Sequence, residues 1–315
     1  IQKVVGAFAW VLRKFMNISG SEGLVAAGNI FMGMTESPVL IKNYLPTMNR
    51  SEIFLVMVSG MGTIAGSVMG TYIGMLGGTD PAAKVLFATH LLSASVMAVP
   101  GSIVLAKMLC PQTEEATDHV AISGKEKENS NILDAISSGT VTGVKLMTNI
   151  AAMLLVFISL VALANYITEG VIGRYTGLND WIVKITDGKA QGLTFQFILG
   201  VITSPFMWLI GVPSQDIMLV GSLLGQKTIL NEFVAYFQLQ QWKDAGLFMY
   251  EKSILMSTYI LCGFANISSI GILLGGLGVL APEKRGLISR IGVPAMIGGA
   301  LVSVLSATII GMILG

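Results

Sequence analysis

Charge is what this sequence has least of. Asp, Glu, Lys and Arg together make up 12% of its 315 residues, against about 25% in a soluble domain that must keep its surface wet. No charged residue falls between Ile53 and Thr79, or between Ser253 and Pro282. Each stretch exceeds the roughly 20 residues that cross a hydrocarbon core about 30 Å thick. With 53% hydrophobic residues, the chain faces lipid over much of its surface and is a multi-pass membrane protein.

Other shortages exclude function classes. The net charge is +1, so no basic field points toward nucleic acid. The only cysteines, Cys110 and Cys262, are far apart and form no CxxC pair, which argues against a metal or redox framework. Two histidines, His90 and His119, give a metalloenzyme little to build with, and no cofactor is expected. No signal peptide is seen, and the chain opens at Ile1.

What is present is a succession of apolar segments, several of them interrupted. Residues 1–18 read as an amphipathic helix at the membrane interface, with Lys3, Arg13 and Lys14 breaking the apolar pattern. Residues 19–110 read as a first repeat. It holds a re-entrant hairpin punctuated by Gly23, Gly28, Gly33, Pro38 and Pro46, a span with Gly60, Gly62, Gly66 and Gly70 near its middle, and a further span bent at Pro100-Gly101. Residues 111–145 form a polar, solvated connection carrying Glu114, Glu115, Asp118, Lys125, Glu126, Lys127 and Glu128. Residues 146–190 supply an unpunctuated span and a loop. Residues 191–285 repeat the first pattern, with a hairpin over 214–242 and a glycine-rich span over 252–280, and 286–315 is the last span. The expected fold is an all-α polytopic membrane protein with two inverted-type repeats, each a re-entrant hairpin followed by a broken transmembrane helix.

The two halves echo each other in chemistry. Each hairpin contains a glutamate, Glu36 and then Glu232, and each is followed by a broken span, Gly60-Met-Gly-Thr-Ile-Ala-Gly66 and Gly263-Phe-Ala-Asn-Ile-Ser-Ser269. Paired interrupted segments in corresponding halves point to the binding site of a secondary transporter. A carboxylate at membrane depth costs several kcal/mol unless it faces a partner, a cavity or a ligand. A break frees backbone N–H and C=O groups that can hold polar ligands or a cation. Asn231 and Glu232 offer acceptors and an amide donor, which suit vicinal hydroxyls. Asn266 and Ser269, three residues apart, fall on one helix face, either to complete such a site or to hydrogen-bond a neighbouring helix. Lys227 is placed to pair with an acid or to snorkel to the interface. His90, within its span, reads as a packed and hydrogen-bonded side chain rather than a proton relay.

These segments resemble the concentrative nucleoside transporter family. Gly33-Met-Thr-Glu-Ser-Pro38 is similar to that family's first-hairpin motif, Thr228-Ile-Leu-Asn-Glu-Phe-Val-Ala-Tyr236 to its second-hairpin motif, and Gly263–Ser269 to its broken helix. The family's N-terminal helices are expected to lie outside this chain. The resemblance implies a homotrimer in a bacterial plasma membrane, with a scaffold domain and a mobile transport domain that works as an elevator. It implies that Glu232, Asn266 and Ser269 hold the ribose, and that the base lies near Met34, Thr35, Glu36, Val68 and Phe264. It implies a coupling cation on the Asn29 side chain, the carbonyls of Met32, Thr63 and Ile64, and the Thr63 hydroxyl. All-oxygen ligands suit a hard cation. Sodium and proton both stay open, with Glu36, Glu232 and His90 as the titratable candidates.

One position departs from the family pattern. Met34 stands where many members carry glutamine, which trades a hydrogen-bonding amide for apolar, polarisable bulk. With Thr63 it suggests purine nucleosides over uridine and cytidine, the alternative being a broad or pyrimidine carrier. A carboxylate carrier would need an arginine near its substrate, and neither hairpin core contains one. An enzyme would need a nucleophile–base pair or metal ligands at depth, and none is apparent. A membrane receptor or channel is the remaining rival, disfavoured by ligand-like polar groups at two related sites.

Overall fold

The computed structural model describes residues 2–114, 131, 133–134, 136–137, 140–141, 144, 155–156, 159–186, 188 and 190–315. Most of the polar connection over 111–145 and about half of the span expected over 146–168 fall outside these residues. In chain order the helices are α1 (Gln2–Met16), α2 (Gly20–Gly28), α3 (Arg50–Gly62), α4 (Gly66–Gly77), α5 (Pro81–Leu109), α6 (Leu178–Ile185), α7 (Phe195–Leu209), α8 (Ile217–Ile229), α9 (Glu232–Asp244), α10 (Glu251–Leu261), α11 (Ile267–Leu280) and α12 (Arg285–Ile313). Ser37–Ile41 is a 3-10 turn and Tyr166–Gly173 a π-helix. Among the described residues there is no strand.

Two compact units emerge, Ile1–His119 with Leu199–Gly315, and Val120–Ile198. In the smaller unit, Gly177 takes a left-handed conformation with φ 73° between the π-helical stretch and α6. Asn179 fastens that corner: its amide donates to the Glu169 carbonyl at 3.0 Å, and its oxygen accepts from the Leu193 N–H at 3.0 Å.

The larger unit contains the repeated arrangement. A hairpin, a helix pair and a long helix occur as α2 with its turn, α3/α4 and α5, and again as α8/α9, α10/α11 and α12. The hairpins differ in build. The second is two α-helices joined at Leu230 and Asn231, whereas the first has one α-helix followed by turns and the short 3-10 segment. Proline explains the difference: Pro38 removes a donor near the start of the return arm and Pro46 another near its end, so no α-helical ladder continues there.

Helix starts are strongly specified. Ser19 and Glu22 form a reciprocal capping box on α2, and Asn49 and Glu52 form one on α3. Each satisfies two orphan N–H groups and sets a carboxylate at the positive helix end. These S-x-x-E and N-x-x-E patterns stand openly in the sequence. Glu22 also takes the Lys107 ammonium at 2.5 Å, and Lys107 donates further to Ser51 Oγ and Gln112 Oε1, both at 3.1 Å. The start of α2 is thereby tied to the last turn of α5.

Arg50–Gly77, Pro81–Leu109 and Pro282–Ile313 are each long and apolar enough to cross a membrane. α12 packs along α3 through glycines. A Cβ added to Gly299 would lie 2.7 Å from the Met61 Cβ, and one on Gly298 2.9 Å from a Val58 methyl. Lipid offers no hydrophobic drive to pair helices, so small residues that permit close contact supply it. The apolar interior forms two clusters, one around α2, α3 and α12, the other around α4, α5 and α8–α10. Phe264, in the break between α10 and α11, packs against both.

Candidate functional site

The two broken helices meet at their breaks. α3 stops at Gly62 and α4 begins at Gly66, while α10 stops at Leu261 and α11 begins at Ile267. The Phe264 N–H donates to the Thr63 carbonyl at 3.2 Å, which joins one break to the other. Gly263 makes the approach possible. Its φ is 142°, which side chains of L residues rarely adopt, and an added Cβ would stand 2.9 Å from the Met61 carbonyl oxygen.

Around this crossing the chain collects buried polar groups. Glu232, first residue of α9, is 7% exposed. Its Oε2 accepts from the Asn266 amide at 2.9 Å and its Oε1 from the Tyr72 hydroxyl at 3.3 Å. Asn266 is the N-cap of α11, its oxygen accepting from the Ser269 N–H at 2.9 Å and the Ser269 hydroxyl at 3.1 Å. The sequence places Asn266 and Ser269 on one helix face, and the structure corrects this: the pair forms a cap. The reason is the break itself, which leaves the first N–H groups of α11 without acceptors. Each Glu232 oxygen has one protein donor and keeps a lone pair for further donors, which is what neighbouring ligand hydroxyls provide.

A second polar cluster lies between the first hairpin and α3. Asn29 is fully buried; its amide donates to Ser59 Oγ at 3.0 Å and its oxygen accepts from Ser37 Oγ at 2.5 Å. Thr63 donates its hydroxyl to the Ser59 carbonyl at 2.9 Å, so that its oxygen retains lone pairs. The Gly66 N–H reaches back to the Phe31 carbonyl at 3.4 Å. Among the described residues, no backbone N–H bonds the carbonyls of Met32 and Ile64. Asn29, Met32, Thr63 and Ile64 thus present oxygens and no nitrogen acceptor or thiolate, a donor set compatible with a hard cation.

The remaining sequence candidates fall into two groups. Met34, 7% exposed, lies against α3, where a Cβ on Gly60 would come within 2.9 Å of its own Cβ. Thr35 reaches α11, its methyl 3.5 Å from a Cβ built on Gly276. Val68 is half-buried on α4, and Phe264 lies in the crossing. Glu36 differs. It is exposed, its carboxylate folds against Gly33, and among the described residues no hydrogen bond joins it to the Glu232 cluster. His90 is hydrogen-bonded through Nδ1 to the Tyr259 hydroxyl at 3.1 Å.

Some participants escape a reading of sequence alone. Tyr72, stacked on Tyr236 with ring centroids 4.1 Å apart, sits in the second half of a broken span whose sequence shows only apolar continuity. Ser59 lies four residues before Thr63, one helical turn away, and that spacing was the available signal. Lys227 meets neither expectation for it. It is fully buried, does not reach an interface, and donates to the Ile260 carbonyl and to Ser303 Oγ, each at 2.8 Å.

This site lies in segments shared with known proteins. A family model described as Na+ dependent nucleoside transporter C-terminus matches residues 90–311, and one described as nucleoside recognition matches residues 1–79. The chain is 38% identical to an uncharacterized transporter of Haemophilus influenzae, covering 100% of this chain and 71% of that protein. It is 38% identical to sodium/nucleoside cotransporter 1 of Rattus norvegicus over 99% of this chain, but spans only 47% of that protein. Among solved structures, CNTnw in an inward-facing substrate-bound state superposes with a TM-score of 0.85 at 36% identity, covering 100% of this chain and 70% of that one. A substituted CNTnw in an outward-facing state gives 0.87 at 35% identity, covering 99% and 69%. The chain therefore belongs to the concentrative, Na+-dependent nucleoside transporter family, a family of membrane transporters rather than enzymes.

Proposed function

We propose that this chain forms the substrate-handling part of a sodium-coupled nucleoside carrier that takes up purine nucleosides by an elevator-type movement. The observation that carries this reading is the buried Glu232 carboxylate, held by Asn266 where the second hairpin meets a broken helix. A carboxylate at that depth is costly unless a ligand uses it. Two ribose hydroxyls that donate to Glu232, with Ser269 and Asn266 alongside, make use of it. The base then lies toward the first hairpin, with Met34 and Thr35 on one side, Val68 and Phe264 around it, and Glu36 at the open edge.

The cation is assigned to Asn29, Thr63 and the carbonyls of Met32 and Ile64, between the first hairpin and the α3/α4 break. Coupling follows from connectivity. The Thr63 carbonyl holds the Phe264 N–H, so a cation that orders Thr63 also orders the break from which Asn266 reaches Glu232. Sodium is favoured over a proton because this oxygen set lacks a titratable member, and because the rat relative is named a sodium cotransporter. Purine preference rests on Met34, whose thioether offers a base contact area but no hydrogen bond. Alternating access is supported by the similarity to CNTnw, which is known in inward- and outward-facing states. A homotrimer in a bacterial plasma membrane completes the reading.

The test is uptake of labelled adenosine into proteoliposomes of the full-length carrier under a sodium gradient, a proton gradient, or neither. Uptake that requires sodium and is competed by guanosine but not by uridine is expected. Equal competition by uridine removes the purine reading, and uptake driven by protons alone removes the cation assignment.

A further inference from the structure

One polar side chain of the Glu232 cluster comes from the other repeat. Tyr72, on α4, is fully buried, and its hydroxyl donates to Glu232 Oε1 at 3.3 Å. Among the described residues that hydroxyl has no other hydrogen-bond partner. Two aromatic residues of α9 seat the ring. It stacks on Tyr236 with centroids 4.1 Å apart and planes 24° from parallel, and it meets Phe233 at 6.1 Å and 60°. Stacked and tilted pairs of this kind are favourable beyond the area they bury. Phe233 and Tyr236 follow Glu232 on the same helix. The element that carries the carboxylate therefore also holds the ring whose hydroxyl reaches it.

A glutamate side chain turns about several torsions, and the last of them is broad. With a single donor the carboxylate would still swing about that one bond. Here each oxygen has its own: Asn266, from the break of the second repeat, donates to Oε2, and Tyr72, from the first repeat, to Oε1. The carboxylate plane cannot turn without giving up one of the two. At 3.3 Å the tyrosine bond is about half an ångström longer than the usual O–H···O separation, so it ranks with the weaker hydrogen bonds. Tyr236 offers a contrast on the same stack, because its hydroxyl donates to the Thr258 carbonyl at 2.8 Å instead.

We propose that Tyr72 is a positioning residue that sets the plane of the Glu232 carboxylate, so that each carboxylate oxygen meets one of two vicinal ribose hydroxyls. This rests on the ribose assignment above. It makes the first repeat a determinant of sugar selectivity, although Glu232, Asn266 and Ser269 all belong to the second. A vicinal diol presents two donors at a fixed separation, and a carboxylate held in one plane accepts one on each oxygen. Fixing that plane in advance lowers the ordering cost of binding. A sugar that lacks one of the two hydroxyls uses one oxygen only and gains little from a fixed plane. A tyrosine that merely filled the core, with its hydroxyl resting on the nearest acceptor, would support every ligand alike.

Binding of adenosine and of its 2′-deoxy, 3′-deoxy and 5′-deoxy analogues to the purified full-length carrier, in saturating sodium, separates the two roles. Tyr72→Phe keeps the ring and its stacking and removes only the donor. It is expected to weaken adenosine and 5′-deoxyadenosine by a common factor of about five, the worth of one modest hydrogen bond. At least one of the 2′-deoxy and 3′-deoxy analogues is expected to lose less than about twofold, since its missing hydroxyl is the one that meets Oε1. Tyr236→Phe, which removes a hydroxyl from the same stack, is expected to change all four affinities by one factor. One factor for all four ligands in Tyr72→Phe overturns the proposal. A Tyr72→Phe carrier that fails to fold where Tyr236→Phe folds overturns it too, because the hydroxyl is then a structural requirement. Wild type that binds the four ligands alike would instead remove the ribose assignment on which the proposal stands, and wild type that binds none would remove the nucleoside reading itself.

Discussion

At the scale of single residues, what matters is which polar groups have partners. Glu232 has two donors and room for more, so Glu232→Gln is expected to abolish high-affinity uptake while the protein keeps its fold and its Tm in detergent. Asn266 has a double task. Asn266→Ala removes both the cap of α11, about 1 kcal/mol, and a donor to a buried carboxylate, a further loss of about 1–3 kcal/mol. Its KM for nucleoside should rise by at least tenfold and its Tm should fall; a variant with unchanged KM would contradict the assignment. Ser253 Oγ is the opposite case, a buried hydroxyl without a hydrogen-bond partner among the described residues. Ser253→Ala therefore exchanges an unsatisfied polar atom for a methyl and should leave transport intact with Tm equal or slightly raised. That Glu232 and Asn266 are buried polar groups side by side was legible in sequence, because polar groups in apolar surroundings stand out, whereas Glu36, picked out by the same signal, is exposed and lies apart from them. Tyr72 and the burial of Lys227 were not, because a tyrosine passes as apolar and a lysine's depth depends on what packs over its stem.

At the scale of elements, the breaks and the hairpins carry the design. Gly263 is needed twice, for its positive φ and for the approach of the Met61 carbonyl. Gly263→Ala should cost about 1–3 kcal/mol in backbone strain alone and separate the two breaks. Uptake is expected to disappear with a clear drop in Tm, and near-normal transport would show that the crossing is not required. The tie at the other end is electrostatic. Lys107→Met would leave Glu22, only 1% exposed, without its cation and held only by the Ser19 N–H at the start of α2, a loss of up to about 3 kcal/mol, readable as a lowered Tm relieved by adding Glu22→Gln. Glycine placement located both breaks from sequence. The return arm of the first hairpin was not foreseen in its form, because a proline forbids a continued α-helix without saying which turn replaces it. The Asn266–Ser269 cap was likewise misread as a helical face. Spacing alone cannot separate a helix interior from its first turn.

At the scale of the whole molecule, two repeats interlock through their broken helices, and in the proposed reading this arrangement is what links cation and nucleoside. The Asn29 cluster and the Glu232 cluster share no side chain, yet the hydrogen bond from Phe264 to Thr63 joins the segments that carry them. If the two clusters bind as proposed, cooperative binding is the expected outcome: a ligand that orders one break lowers the cost of ordering the other, and the coupling is reciprocal in binding free energy. That the chain is membrane-embedded and doubled was readable from uncharged runs and recurring motifs. The pairing of the two breaks was not, since it joins residues some 200 positions apart through backbone atoms that no side-chain pattern reports.

The most direct test of this account is binding of adenosine to the purified full-length carrier, measured calorimetrically with sodium and with choline in its place, for wild type and for Asn29→Ala. Sodium should tighten adenosine binding by at least tenfold in wild type and lose that effect in Asn29→Ala, whose binding in choline should match wild type. Adenosine affinity indifferent to sodium in wild type, or sodium enhancement retained in Asn29→Ala, would contradict it.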